Sequence, residues 1–72
     1  MWRYIDFRHL KYFLAVAEER HFGWAAERMN IVQPGLSMKI NTLEVELGGH
    51  LLIRISLRVE LTDAGQLLKA EG

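Results

Sequence analysis

Phe22-Gly23-Trp24-Ala25-Ala26-Glu27-Arg28-Met29-Asn30-Ile31-Val32-Gln33-Pro34-Gly35-Leu36-Ser37-Met38-Lys39-Ile40 is the stretch on which the fold turns. Phe22, Ala25, Ala26 and Met29 fall at i, i+3, i+4 and i+7, the spacing that lines one face of a helix. The two alanines leave room for a neighbouring helix to come close. Asn30-Ile31-Val32 interrupts the pattern for a tight turn. Pro34 then stands where a helix tolerates it best, in the first turn, where its missing N–H has no partner to lose. Leu36, Ile40, Leu43 and Leu47 carry an inward stripe onward to Gly48-Gly49, which ends the helix. Two helices joined by a turn this short predict a helix-turn-helix. On the opposite side of the second of them, Pro34, Met38, Asn41, Thr42 and Val45, flanked by Ser37, form an outward face of short, mildly polar side chains.

Upstream, Phe7, Leu10, Phe13, Leu14 and Ala17 recur at helical spacing and predict a helix from Phe7 to Glu19, with Asp6 as its N-cap and Ile5 stapled onto Leu10. Downstream, Leu51 to Ile55 and Arg58 to Leu61 are β-prone runs separated by Ser56-Leu57, which predicts a small hairpin. Arg58 and Glu60 share one face of that hairpin and can pair there. Thr62-Asp63 supplies an N-cap and a first-turn acid for a last helix, whose stripe is Ala64, Leu67 and Leu68 and which stops at Gly72. The expected order is helix, helix, tight turn, helix, hairpin and helix, a mainly α fold.

Composition bounds what such a fold can do. The chain has 72 residues, half of them hydrophobic, enough for one core. A domain this short buries only roughly 60% of its unfolded surface, so its margin of stability is thin. With no cysteine there is neither a disulfide nor a thiolate metal site, which fits a reducing compartment. No apolar run approaches the roughly 20 residues that span a bilayer, and no signal-peptide pattern opens the chain. A cytoplasmic protein without a membrane partner is expected. His9, His21 and His50 stand singly, so neither a metal nor a cofactor is predicted. Phe13, Phe22, Trp24 and Met29 are read as core or rim packing from their helical spacing. No nucleophile–base arrangement, paired inward carboxylates or phosphate loop is present, and the chain is too small to enclose an ordinary substrate pocket, which argues against an enzyme. Nine Lys and Arg balance nine Asp and Glu, so any nucleic-acid binding must rest on where the cations sit.

The runs Ala25-Ala26-Glu27-Arg28-Met29, Gln33-Pro34-Gly35-Leu36-Ser37 and Leu43-Glu44-Val45-Glu46-Leu47-Gly48 together resemble the signature of the LysR-type transcriptional regulators. The resemblance continues through Leu51-Leu52-Ile53-Arg54, Arg58-Val59 and Leu61-Thr62-Asp63-Ala64-Gly65, without a gap. It implies a winged helix-turn-helix with a three-helix core, a β-hairpin wing and a C-terminal linker helix, residues 1–61 making the domain and residues 62–72 opening the linker. It also implies sequence-specific binding of double-stranded DNA as the reading head of a bacterial regulator. Gln33, Pro34, Gly35, Ser37 and Met38 would open the recognition helix in the major groove, with Asn41 one turn further on. A Gln can hydrogen-bond base edges, and a helix N-terminus holds phosphate through its free N–H groups. Met38 can only pack, against a thymine methyl or a sugar.

Arg54 and Arg58 would occupy the wing, on the backbone or minor groove, although hairpin arginines are also often plain solvated charges. The last helix would pair two subunits through Ala64, Leu67 and Leu68, giving a homodimer. A small-molecule effector would act only through a further C-terminal domain. The family usually has Ser or Thr where Val32 stands, a hydroxyl residue at Gly23, a basic or polar one at Trp24 and Arg or Gln at Met38. Val32 leaves the recognition helix without a side-chain cap worth about 0.5 to 2 kcal/mol. The neutral charge and altered reading head leave an alternative, a winged-helix scaffold turned to protein–protein interaction.

Overall fold

A computed structural model describes residues 7–56 and 58–71, and within them the elements follow the expected order. They are α1 (Phe7–Glu19), α2 (Phe22–Arg28), α3 (Gln33–Leu47), β1 (Leu52–Ile55), β2 (Arg58–Leu61) and α4 (Asp63–Glu71). The Asp6 cap, the Ile5 staple, Leu57 of the hairpin turn and the stop at Gly72 lie outside the described residues.

The helix-turn-helix is built as its residues dictate. Met29 and Ile31 donate their N–H groups back to Ala25 and Ala26, and Asn30 takes the left-handed conformation (φ 57°) that reverses the chain. Asn tolerates that region better than most residues. Val32 caps α3 with no side-chain hydrogen bond and Pro34 sits in its first turn. Leu36, Ile40 and Leu43 are fully buried, with Leu47 packed at the edge of the core. Gly48 (φ 78°) closes α3 in the left-handed region and donates to the carbonyls of Glu44 and Val45.

The first helix departs from its expected stripe. Phe7 is 78% exposed, whereas Ala15 and Val16, which the stripe omits, are buried with Phe13 and Ala17. Two causes combine. Phe7 lies roughly 120° from Phe13 on a helical wheel. The later turns of α1 are also enclosed on several sides, since α2, α3, β2 and α4 all contact this helix. Enclosure of that kind removes the one-sided pattern that amphipathic spacing detects.

The hairpin pairs Leu52 with Leu61, Ile53 with Glu60, Arg54 with Val59 and Ile55 with Arg58. Leu52, Arg54, Val59 and Leu61 therefore share the inner face, and Ile53, Ile55, Arg58 and Glu60 the outer one. Arg58 and Glu60 do share a face, but among the described residues no ion pair joins them. The first strand begins at Leu52 and not at Leu51. The N–H of Leu51 is taken by the Glu44 carboxylate at 2.8 Å, and its carbonyl accepts from Thr62 at 3.0 Å. On the other edge, Val59 donates to the carbonyl of Arg20 at 3.2 Å, and a bridge joins His21 to Arg58. The wing is thus tied to the α1–α2 junction as well as to α3.

Thr62 caps α4 as its position implies, its hydroxyl accepting from the N–H of Gly65 at 3.0 Å and donating to the carbonyl of His50 at 2.8 Å. The stripe on α4 splits in two. Leu68 is 4% exposed and belongs to the core of its own chain, while Leu67 is 62% exposed. Gly65 explains the depth of that seating, because a Cβ there would collide with the carbonyl oxygen of Leu51. Of the expected stripe, Ala64 and Leu67 face outward.

Candidate nucleic-acid interface

The exposed side of α3 starts at its open N-terminus. Gln33, Pro34, Met38 and Asn41 all lie on it, Met38 at 66% exposure. Ser37 is half-buried at the edge. Gly35 is turned toward the preceding turn, where a Cβ would meet Ile31 Cγ1 at 3.3 Å and Val32 Cγ2 at 3.5 Å, so it fits the turn to the helix and presents no side chain outward.

The wing reaches this surface through Arg54. Its guanidinium lies 4.2 Å over the ring of Phe22 and donates to Ser37 Oγ at 2.7 Å. A cation over an aromatic face and a hydrogen bond to a hydroxyl hold the group in one pose. Phe22, Gln33, Pro34, Ser37, Arg54 and Ser56 line one open cleft between α3 and the hairpin. Gln33, Ser37 and Arg54, named separately in the sequence, are therefore neighbours. Arg58 stands on the other face of the hairpin, and Asn41 borders a different cleft with Glu44, Val45 and His50. Ala64 and Leu67 belong to α4 and take no part in this surface.

The neutral total conceals an uneven distribution of charge. Arg28 bonds to Glu18 at 2.7 Å and to Glu19 at 3.3 Å, drawing two acids into a cluster between α1 and α2. The hydrogen bond to Glu18, then its negative charge, raises the Arg28 guanidinium further above its ordinary range. Glu44 turns its carboxylate inward onto the N–H groups of Leu51 and Leu52. Glu46 lies 3.8 Å from His9, between α3 and α1. None of these acids lines the cleft, where the charged side chain is Arg54.

Two features escape sequence reasoning. His21, at what reads as a break, is the N-cap of α2, its Nδ1 accepting from the N–H of Trp24 at 3.1 Å. Its ring also stacks on Trp24, with centroids 4.4 Å apart and planes inclined by 23°. A capping role is legible in Ser, Thr, Asp or Asn, and much less so in His. Glu44 carries no local signal at all, since its two amide partners return to it only after the chain reverses at Gly48-Gly49.

Comparison with known proteins agrees with this geometry. Residues 7–66 match the family model described as bacterial regulatory helix-turn-helix protein, lysR family. The chain is 54% identical over 67 residues to the uncharacterized HTH-type transcriptional regulator YnfL of Escherichia coli (strain K12), covering 93% of this chain and 23% of that protein. It is 56% identical over 63 residues to the HTH-type transcriptional regulator AlsR of Bacillus subtilis (strain 168), covering 88% of this chain and 21% of that one. It thus spans about a fifth of the length of the curated relatives it matches. Among solved structures, the CbnR_DBD–DNA complex superposes with a TM-score of 0.88 at 41% identity, over 92% of this chain and 76% of that one. The BenM_DBD/catB site 1 DNA complex does so with a TM-score of 0.87 at 45% identity, over 92% and 73%. Regulators and DNA complexes give no support to a protein-interaction scaffold.

Proposed function

Because the chain belongs to the lysR family of bacterial regulatory helix-turn-helix proteins, we propose that it is the DNA-reading head of a transcriptional regulator, with α3 in the major groove and the wing on the sugar-phosphate backbone or minor groove. The observation that carries this reading is the cleft in which Gln33, Ser37 and Arg54 meet beside the open N-terminus of α3. Gln33 is placed to hydrogen-bond a base edge, most favourably an adenine N6/N7 pair. The uncapped first-turn N–H groups of α3 are available to a phosphate. Met38 packs against a thymine methyl or sugar. Arg54 and Arg58, on opposite faces of the wing, meet phosphate from two sides. Ala64 and Leu67, the outward part of the α4 stripe, pair with a second copy, so that two reading helices lie about 34 to 36 Å apart on successive turns of the duplex. The regulator works in the cytoplasm, and a small-molecule effector acts through a domain beyond this chain.

The test is duplex binding by fluorescence anisotropy at two salt concentrations, using a sequence selected from a random library and an unrelated control. Affinity should fall with added salt by about 0.9 log units per log unit for each phosphate engaged. Replacing Gln33 with Ala should cost about 1 to 3 kcal/mol on the selected site and little on the control. Equal losses on both would move Gln33 to the backbone, and absence of binding at low salt would end the proposal.

A further inference from the structure

Trp24 has no evident task in the fold. It is 60% exposed on the first turn of α2, whereas Phe13 and Phe22 are buried. Yet it is held firmly. Its ring lies against His21, whose Nδ1 accepts the Trp24 N–H, and this cap fixes the imidazole beside the indole. With Nδ1 acting as acceptor, the neutral ring carries its proton on Nε2, which remains a donor.

The pair is also continuous with the reading end of α3. His21, Gly23, Trp24, Glu27, Asn30 and Gln33 border one open cleft. Gly23 is what allows this: a Cβ there would stand 2.9 Å from His21 Cε1 and 3.3 Å from Gln33 Nε2. The missing side chain lets the Gln33 amide and the imidazole approach over the backbone of α2.

We infer that the stacked His21–Trp24 pair is a second DNA-contact surface, taking the sugar-phosphate strand that flanks the base edge met by Gln33. The inference rests on the DNA-reading proposal. In a helix-turn-helix the first helix crosses the backbone while the second enters the groove, and α2 holds that first position. The bases of a duplex are stacked, so the flat indole meets deoxyribose C–H groups and not a base face. Trp24 Nε1–H and His21 Nε2–H donate to the adjoining phosphate oxygens. The indole is uncharged, so its contact releases no counterions and leaves no mark on the salt slope.

That signature separates this surface from the wing arginines. Trp24→Ala should weaken binding to selected and control duplexes alike, by roughly tenfold, with the salt slope unchanged. Trp24→Arg should recover affinity at low salt and steepen the slope by about 0.9. A second measurement needs no disruptive variant. The sequence holds one other tryptophan, Trp2, and in a Trp2→Phe chain acrylamide quenching of the remaining indole should drop when duplex saturates the protein. Undiminished affinity in Trp24→Ala, or an indole as quenchable in the complex as in the free chain, overturns the inference while leaving the DNA reading in place. A parent chain that binds no duplex takes down both.

Discussion

Alanine in place of a helical glycine ordinarily stabilises a helix by about 1 kcal/mol, but at Gly65 the sign should reverse. The added carbon would run into the carbonyl oxygen of Leu51, a backbone atom that cannot rotate aside. The same oxygen accepts the Thr62 N–H at 3.0 Å, so shifting it disturbs the entry to α4 as well. Forcing one carbon into such a contact costs about 1 to 3 kcal/mol. The weakened hydrogen bond adds about 1 kcal/mol, and helix propensity returns about 1 kcal/mol. The net loss is about 1 to 3 kcal/mol, or about 5 to 20 °C in Tm for a domain this small. Urea denaturation followed by circular dichroism measures it. Gly49→Ala is the control, since a Cβ there meets nothing within 4 Å, and it should change stability by no more than about 0.5 kcal/mol. A Gly65→Ala chain as stable as the parent would refute the seating of α4 on Leu51, and with it the assignment of Leu68 to the core.

Three further perturbations address the binding surface and the assembly. Arg54 and Ser37 should show a coupling of about 0.5 kcal/mol or more in a double-mutant cycle on DNA affinity, because one side chain holds the other, whereas Arg58→Ala should act alone and flatten the salt slope by about 0.9; additive behaviour of Arg54 and Ser37 would show that their bond does not persist on DNA. Leu67→Glu should abolish weak self-association in sedimentation velocity across a concentration series without loss of helix content, and an unchanged profile would remove Leu67 from the pairing face.

What could be read in advance divides along local and distant causes. The limits of α3 are legible because Pro34 and Gly48 act on their own backbone, and the Thr62 cap for the same reason. The burial of Ala15 and the exposure of Phe7 are not, since they depend on which neighbours enclose α1. Leu67 and Leu68 are adjacent and equally apolar, and only the close approach permitted at Gly65 decides that the second faces inward. At the candidate site, Gln33, Ser37 and Arg54 could each be named from the resemblance. Their meeting could not, because Arg54 reaches Ser37 across 17 positions of sequence. Trp24 reads as rim packing, and its partner His21 as an isolated histidine, until the cap brings the rings together.

The anchoring of the wing carries a mechanical consequence. Its root is held where Glu44 accepts two amides, and its Arg54–Val59 rung is held on both strands, where Val59 donates to Arg20 and where Arg54 lies on Phe22 and Ser37. Three fastenings to α3 and to the α1–α2 corner leave the hairpin little freedom to swing, so the reading helix and the wing act as the fixed jaws of a caliper. Under the DNA-reading proposal a rigid gauge cannot open or close to suit its target, and the duplex must supply any change in groove width. The energy of that change depends on base steps that no side chain touches. Sequences that already have the required width bind at no such cost, which makes the caliper a means of selection independent of Gln33.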